Sequence, residues 1–122
     1  MSNNYGTDKR RYLRYEILDY ALVYCGDSSE STNCVIVDIG LGGLQLRSKQ
    51  ALPVGELCTI QVGRMDKDPL LLKGEIRHCG LLEDSELYSS GVRFMPQSHM
   101  DRMAIAEYVH EIFQRQCDKL LA

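Results

Sequence analysis

No stretch of this chain approaches the roughly 20 apolar residues that a membrane-crossing helix needs. The opening residues, Met1 to Asp8, are polar and lack the apolar segment of an export signal. The expectation is a cytoplasmic protein with no membrane span. Positive charge is not in excess either. Fourteen lysines and arginines stand against 17 aspartates and glutamates, a formal net charge of −3. A general nucleic-acid binder carries a strong basic balance, so that class is disfavoured. The five cysteines (Cys25, Cys34, Cys58, Cys79, Cys117) are odd in number, irregularly spaced and free of any C-x-x-C. They read as reduced thiols packed as small hydrophobes, with a Cys25–Cys34 bridge across a hairpin loop as the one open alternative. Catalytic signatures are missing as well. There is no G-x-S-x-G, no H-E-x-x-H and no phosphate loop with its lysine. His78, His99 and His110 share no spacing, and no nucleophile has an adjacent base. The reading is a non-enzyme with no metal site and no cofactor.

What is present is a series of short alternating segments. At 122 residues the chain is one domain able to bury its own core. Ile17 to Cys25 alternates, with Leu18, Tyr20, Leu22 and Tyr24 on one face and Asp19, Ala21 and Val23 on the other, so both faces are partly covered. Cys34 to Val37 is a short buried strand, and Leu44 and Leu46 point inward against Gln45 and Arg47. Leu57 to Val62 alternates again. In the strand from Leu72 to His78, Lys73, Glu75 and Arg77 point outward while Leu72, Ile76 and His78 point inward, His78 as a histidine at the core edge. Leu87 to Phe94 ends with Val92 and Phe94 inward. Arg47 and Arg93 read as outward surface charges. Pro96 stops the strands, and Ser98 with Asp101 three residues on predicts a helix N-terminus. The helix should run to Leu121 and bury a stripe of Met103, Ala106, Val109, Ile112, Phe113, Cys117, Leu120 and Leu121, against the sheet or against a second copy in a homodimer. Six strands at hairpin spacing followed by one helix predict a mainly β fold, a small six-stranded antiparallel barrel closed by a C-terminal helix. Residues 1–15 form a basic arm, 16–96 the barrel and 98–121 the helix.

Two stretches carry the functional signal. The first is Asp38-Ile39-Gly40-Leu41-Gly42-Gly43, a carboxylate followed by three glycines within five positions where two strands meet. Glycines in a strand pattern mark a bend, a bulge or a place of close backbone approach. The plain alternative is a tight turn that Asp38 closes with its own side chain. The second stretch lies in the arm. From Asp8 to Arg14 there are four positive charges (Lys9, Arg10, Arg11, Arg14) and one negative, in a chain that is acidic overall. The bland reading is a solvated charge run. Arginine's planar fork, however, suits bidentate pairing with phosphate or with the O6/N7 edge of guanine. Arg10 and Arg14 would lie about 6 Å apart on a helical turn or roughly 13 Å apart along an extended arm, and either spacing suits one nucleotide-sized ligand.

Arg10-x-x-x-Arg14 followed by Asp38-x-Gly40-x-x-Gly43 resembles the paired signature of the PilZ domain family, R-x-x-x-R and [D/N]-x-S-x-x-G, and Gly91-Val92-Arg93-Phe94 resembles that family's last strand. The resemblance implies a six-stranded barrel that binds the bacterial second messenger cyclic di-GMP without catalysis, changes conformation on binding and signals to a partner protein. It implies that Arg10 and Arg14 grip phosphate and guanine. Asp38, an acceptor-only carboxylate, would meet the N1–H and N2–H₂ donors of a guanine, and Gly43 would let the base come close. Lys9 would influence whether one or two ligand molecules are held, and Arg11 would add a phosphate contact. Gly40 stands where the family has serine, so one hydroxyl contact is missing. A neutral hydrogen bond is worth roughly 0.5–1.5 kcal/mol, so binding should be weakened or unchanged rather than abolished. The alternative that Gly40 raises is a degenerate PilZ-like adaptor that binds protein partners without nucleotide.

Overall fold

Alternation closes the sheet on itself. The computed structural model describes residues 14–121, in the order β1 (Arg14–Cys25), β2 (Thr32–Gly40), β3 (Gly43–Ser48), β4 (Leu57–Val62), β5 (Leu70–Leu81), β6 (Tyr88–Phe94) and α1 (His99–Leu121). The six strands form a closed antiparallel barrel in the order β1-β2-β3-β6-β5-β4, with β4 pairing back to β1. Closure leaves no unpaired edge. Arg14 and Tyr15, read from the sequence as arm, belong to β1. No helix among the described residues is long and apolar enough to cross a membrane.

Inward positions form one core. Ile36, Leu44, Leu46, Ile60, Leu72 and Ile76 are fully buried, and Ile105, Tyr108 and Ile112 of α1 join the same cluster. The helix start follows expectation, since the Asp101 N–H donates to Ser98 Oγ at 3.1 Å and the Gln97 N–H donates to Asp101 Oδ2 at 2.8 Å. The buried stripe follows only in part. Ile112 is fully buried and Val109 packs on the core as expected. Ile105 and Tyr108 carry the rest of the contact, while Met103, Phe113, Leu120 and Leu121 are exposed. Apolar residues lie on several sides of this helix, so periodicity by itself does not select the face that docks.

β1 differs in a similar way. Its inner face is the small one, Ala21 and Val23, whereas Leu18 and Tyr20 stand outside at 71% and 78% exposure. All five cysteines are free thiols. In register Cys34 opposes Ala21, while Cys25 opposes Cys58, so Cys25 and Cys34 are not a cross-strand pair.

Register shifts break the alternation at three places. β1 shifts against β2 between Glu16 and Asp19, β2 against β3 between Ile36 and Asp38, and β5 against β6 between Ile76 and His78. A bulge inserts one residue and re-aims the side chains beyond it. In β2 the inward run Cys34, Ile36 resumes at Ile39, with the extra residue Val37 leaving Asp38 on the outside. In β5 the inward run Leu70, Leu72, Gly74, Ile76 ends at the extra residue Arg77, and His78 turns outward. The expected core-edge histidine is therefore an exposed one.

Candidate functional site

The bulges line up one row of positions across four strands, Asp38 on β2, Gln45 on β3, Gly91 on β6 and His78 on β5, each opposite the next, with the side chains of Asp38, Gln45 and His78 outward. β1 continues it, because Glu16 opposes Asp38 and Arg14 opposes Gly40. Arg14 Nη1 donates to Asp38 Oδ1 at 2.9 Å and to the Gly43 carbonyl at 3.3 Å. Both side chains of this pair are about one-fifth exposed (23% and 20%). The sequence reading singled out Arg14, Asp38, Gly40 and Gly43, and all four lie together at one rim of the barrel. Lys9, Arg10 and Arg11 lie outside the described residues.

Gly43 has a structural task besides any role towards a ligand. It sits opposite Arg93 where β3 meets β6, and a Cβ there would stand 2.0 Å from the Val92 carbonyl oxygen. Only glycine allows the two backbones to approach this closely, and that approach places the Gly43 carbonyl under Arg14.

The rim opens onto a groove of about 670 Å³ between the β2–β3 turn, the outer faces of β5 and β6, and the first turns of α1. That size lies within the range of small-ligand sites. Arg14, Gly40, Leu41 and Gly42 form one wall, while Arg77, His78, Arg93 and Arg102 lie on its other sides. His78 rests over Gly91, where an added Cβ would come within 2.1 Å of Nε2. Gln45, Arg77, His78, Gly91, Arg93 and Arg102 were missed as site residues. Their common address depends on strand pairing and on where the helix docks. Arg93 is outward-facing as expected, but Arg47 is half-buried, and its Nε is buried with no hydrogen-bond partner among the described residues.

The family model of the PilZ domain matches residues 8–111. The chain belongs to the PilZ domain family. Its barrel and helix superpose on solved PilZ structures of low sequence identity, a likeness that speaks for the fold. The PilZ domain of Escherichia coli YcgR with c-di-GMP matches at a TM-score of 0.69 and 15% identity, over 93% of this chain and 98% of that one. The Klebsiella pneumonia MrkH–c-di-GMP complex matches at 0.70 and 16%, over 92% and 56%. The Bacillus subtilis inhibitor of motility matches at 0.67 and 15%, over 92% and 53%. The chain thus spans about half the length of the latter two proteins and nearly all of the isolated E. coli PilZ domain. Among curated protein sequences none matches. In the signature that the sequence resembles, Arg14 stands at the second arginine of the first motif and Asp38, Gly40 and Gly43 stand in the second, with Gly40 at the serine position.

Proposed function

We propose that this PilZ domain is a non-catalytic receptor for cyclic di-GMP, whose basic leader closes over the nucleotide and passes the signal to a partner protein. The observation that carries this reading is the Arg14–Asp38–Gly43 cluster at the rim of a ligand-sized groove. The ligand-bound YcgR and MrkH structures support it by fold.

The site's chemistry suits the exchange. A partly exposed ion pair contributes only about 0–1 kcal/mol, so a phosphate can take over Arg14 at little loss. Charge-assisted contacts from guanidinium to phosphate are worth about 1.5–3 kcal/mol each. In this reading Arg10 and Arg14 hold phosphate and guanine, Lys9 and Arg11 add charge, and Asp38 accepts from the N–H edge of a guanine. The exposed flank of α1, with Met103, Leu120, Leu121 and the open side of Phe113, whose ring meets Tyr15 of β1 edge-on, is the surface offered to the partner.

Calorimetric titration with cyclic di-GMP, run beside cyclic di-AMP and GTP, tests the proposal. The expected result is saturable binding of cyclic di-GMP with a Kd of roughly 0.1–10 µM and much weaker binding of the other two. No heat and no shift of melting temperature at hundreds of micromolar ligand would overturn it.

A further inference from the structure

Four arginines from four elements line one groove: Arg14 of β1, Arg77 of β5, Arg93 of β6 and Arg102 in the first turn of α1. The chain as a whole has more acids than bases, so a scatter of surface charge does not account for this convergence. Arg14 is paired with Asp38, and Arg77 meets Glu75 at 3.4 Å. Among the described residues, Arg93 and Arg102 have no carboxylate within 4.0 Å. Cations gathered on a concave wall repel one another and concentrate a positive potential there. An anion seated between them relieves both effects.

The wall belongs to two bodies. Arg93 stands on the barrel opposite Gly43, one residue pair from the Arg14–Asp38 rim. Arg102 stands on the helix, whose hold on the core begins only at Ala104 and Ile105. His99, Met100, Arg102 and Met103 of the first turn are exposed. A helix end with few buried contacts is the part of such a fold that opens most readily.

We infer that Arg93 and Arg102 form a second anion contact for the ligand of this groove, so that a bis-phosphate ring spans from the β1–β2 rim to α1 and fixes the first turn of the helix against the barrel. The inference rests on the proposed cyclic dinucleotide reading. A ligand with two phosphates needs cations on two sides. Arg14 supplies one side, and the planar forks of Arg93 and Arg102 supply the other. Binding is thereby transmitted to the helix, the element that carries the exposed apolar flank.

The test is calorimetry with cyclic di-GMP on the wild type, R93Q/R102Q and R93K/R102K, together with amide hydrogen exchange of residues 99–106 with and without ligand. All substitutions are at exposed positions, and thermal melts confirm folding. Expected are a loss of affinity of about ten- to a hundredfold in R93Q/R102Q, a smaller loss in R93K/R102K, which keeps the charge without the fork, and ligand-induced slowing of exchange in the first turn that the glutamine variant lacks. If the wild type binds and R93Q/R102Q binds within twofold of it, with the same change in helix exchange, the inference is overturned and the receptor reading stands. If the wild type itself does not bind, the receptor reading falls and this inference falls with it.

Discussion

The molecule holds a carboxylate against an arginine at 2.9 Å in two places, at the rim and on the helix flank, and the two pairs do different work. Arg14–Asp38 joins β1 to β2, strands already paired along their length. Asp19–Arg115 joins β1 to α1, and the same Asp19 carboxylate accepts from the Tyr108 hydroxyl at 2.5 Å. Tyr108 is fully buried, and burial together with that acceptor pushes its phenol well above the ordinary value. On the other side of the helix, Arg64 reaches Glu107 at 2.6 Å and Glu111 at 2.8 Å. The flank pairs tie together elements that no backbone ladder connects. The rim pair does not, and it lies open to a groove. One chemistry thus ties separate bodies together on the flank, while at the rim it joins strands that are already held and faces a groove.

Five outcomes would break or sharpen that contrast. The largest concerns the glycine at the rim where two backbones meet. Gly43→Ala places a methyl group against the Val92 carbonyl and should destabilise the fold by on the order of 3 kcal/mol in urea unfolding. A change under 1 kcal/mol would show that the β3–β6 approach is soft. Next, Arg14→Ala should weaken cyclic di-GMP at least tenfold by calorimetry, yet alter unfolding free energy by less than about 1 kcal/mol. Equal losses in both would make the rim pair structural after all.

The flank should behave the opposite way. Tyr108→Phe should lower stability by about 1 kcal/mol at neutral pH with ligand affinity unchanged. Alkali should reveal Tyr108 together with two buried thiols of the barrel core. Burial raises the Cys34 thiol to about 11 and the Cys58 thiol to about 12, against an ordinary 9.0, and raises Tyr108 too. Below about pH 9 every one of these groups is protonated whether the chain is folded or not, and the stability is complete. From pH 9 upward the unfolded chain loses thiol protons that the folded one keeps, so stability should fall between about pH 9 and 12, by on the order of 1 kcal/mol per pH unit per group. Tyr108→Phe should flatten the decline above about pH 10, where the unfolded phenol ionises. The smallest effect is Gly40→Ser. Restoring the family's hydroxyl should tighten binding about two- to tenfold. Binding that appears only in this variant would favour the adaptor for the natural sequence.

Much of the barrel was legible because strand alternation is local. Leu57 to Val62 runs as read, and Val92 and Phe94 point inward as expected. Arg14 and Asp38 were legible one by one through their motifs, but their pairing with each other was not. His78 was not, because one inserted residue, Arg77, reverses the parity of everything after it, and a bulge leaves no mark in a pattern of apolar and polar residues. Ile105 and Tyr108 were missed because the helix is apolar on more than one side, and the barrel opening, not the helix, selects the face. Arg93 looked like ordinary surface charge and Arg102 drew no notice, since their place on one groove arises from a strand pairing and a docking angle.

By itself, the order of residues determined six strands, a capped helix and a pair of motifs, since side-chain period, breakers and motif spacing are written within a few neighbouring positions. Only tertiary structure decided which way Asp38 and His78 face, which side of α1 is buried and that four arginines share one groove. Those facts depend on register between strands far apart in the chain, and register is fixed by how the whole barrel closes and packs.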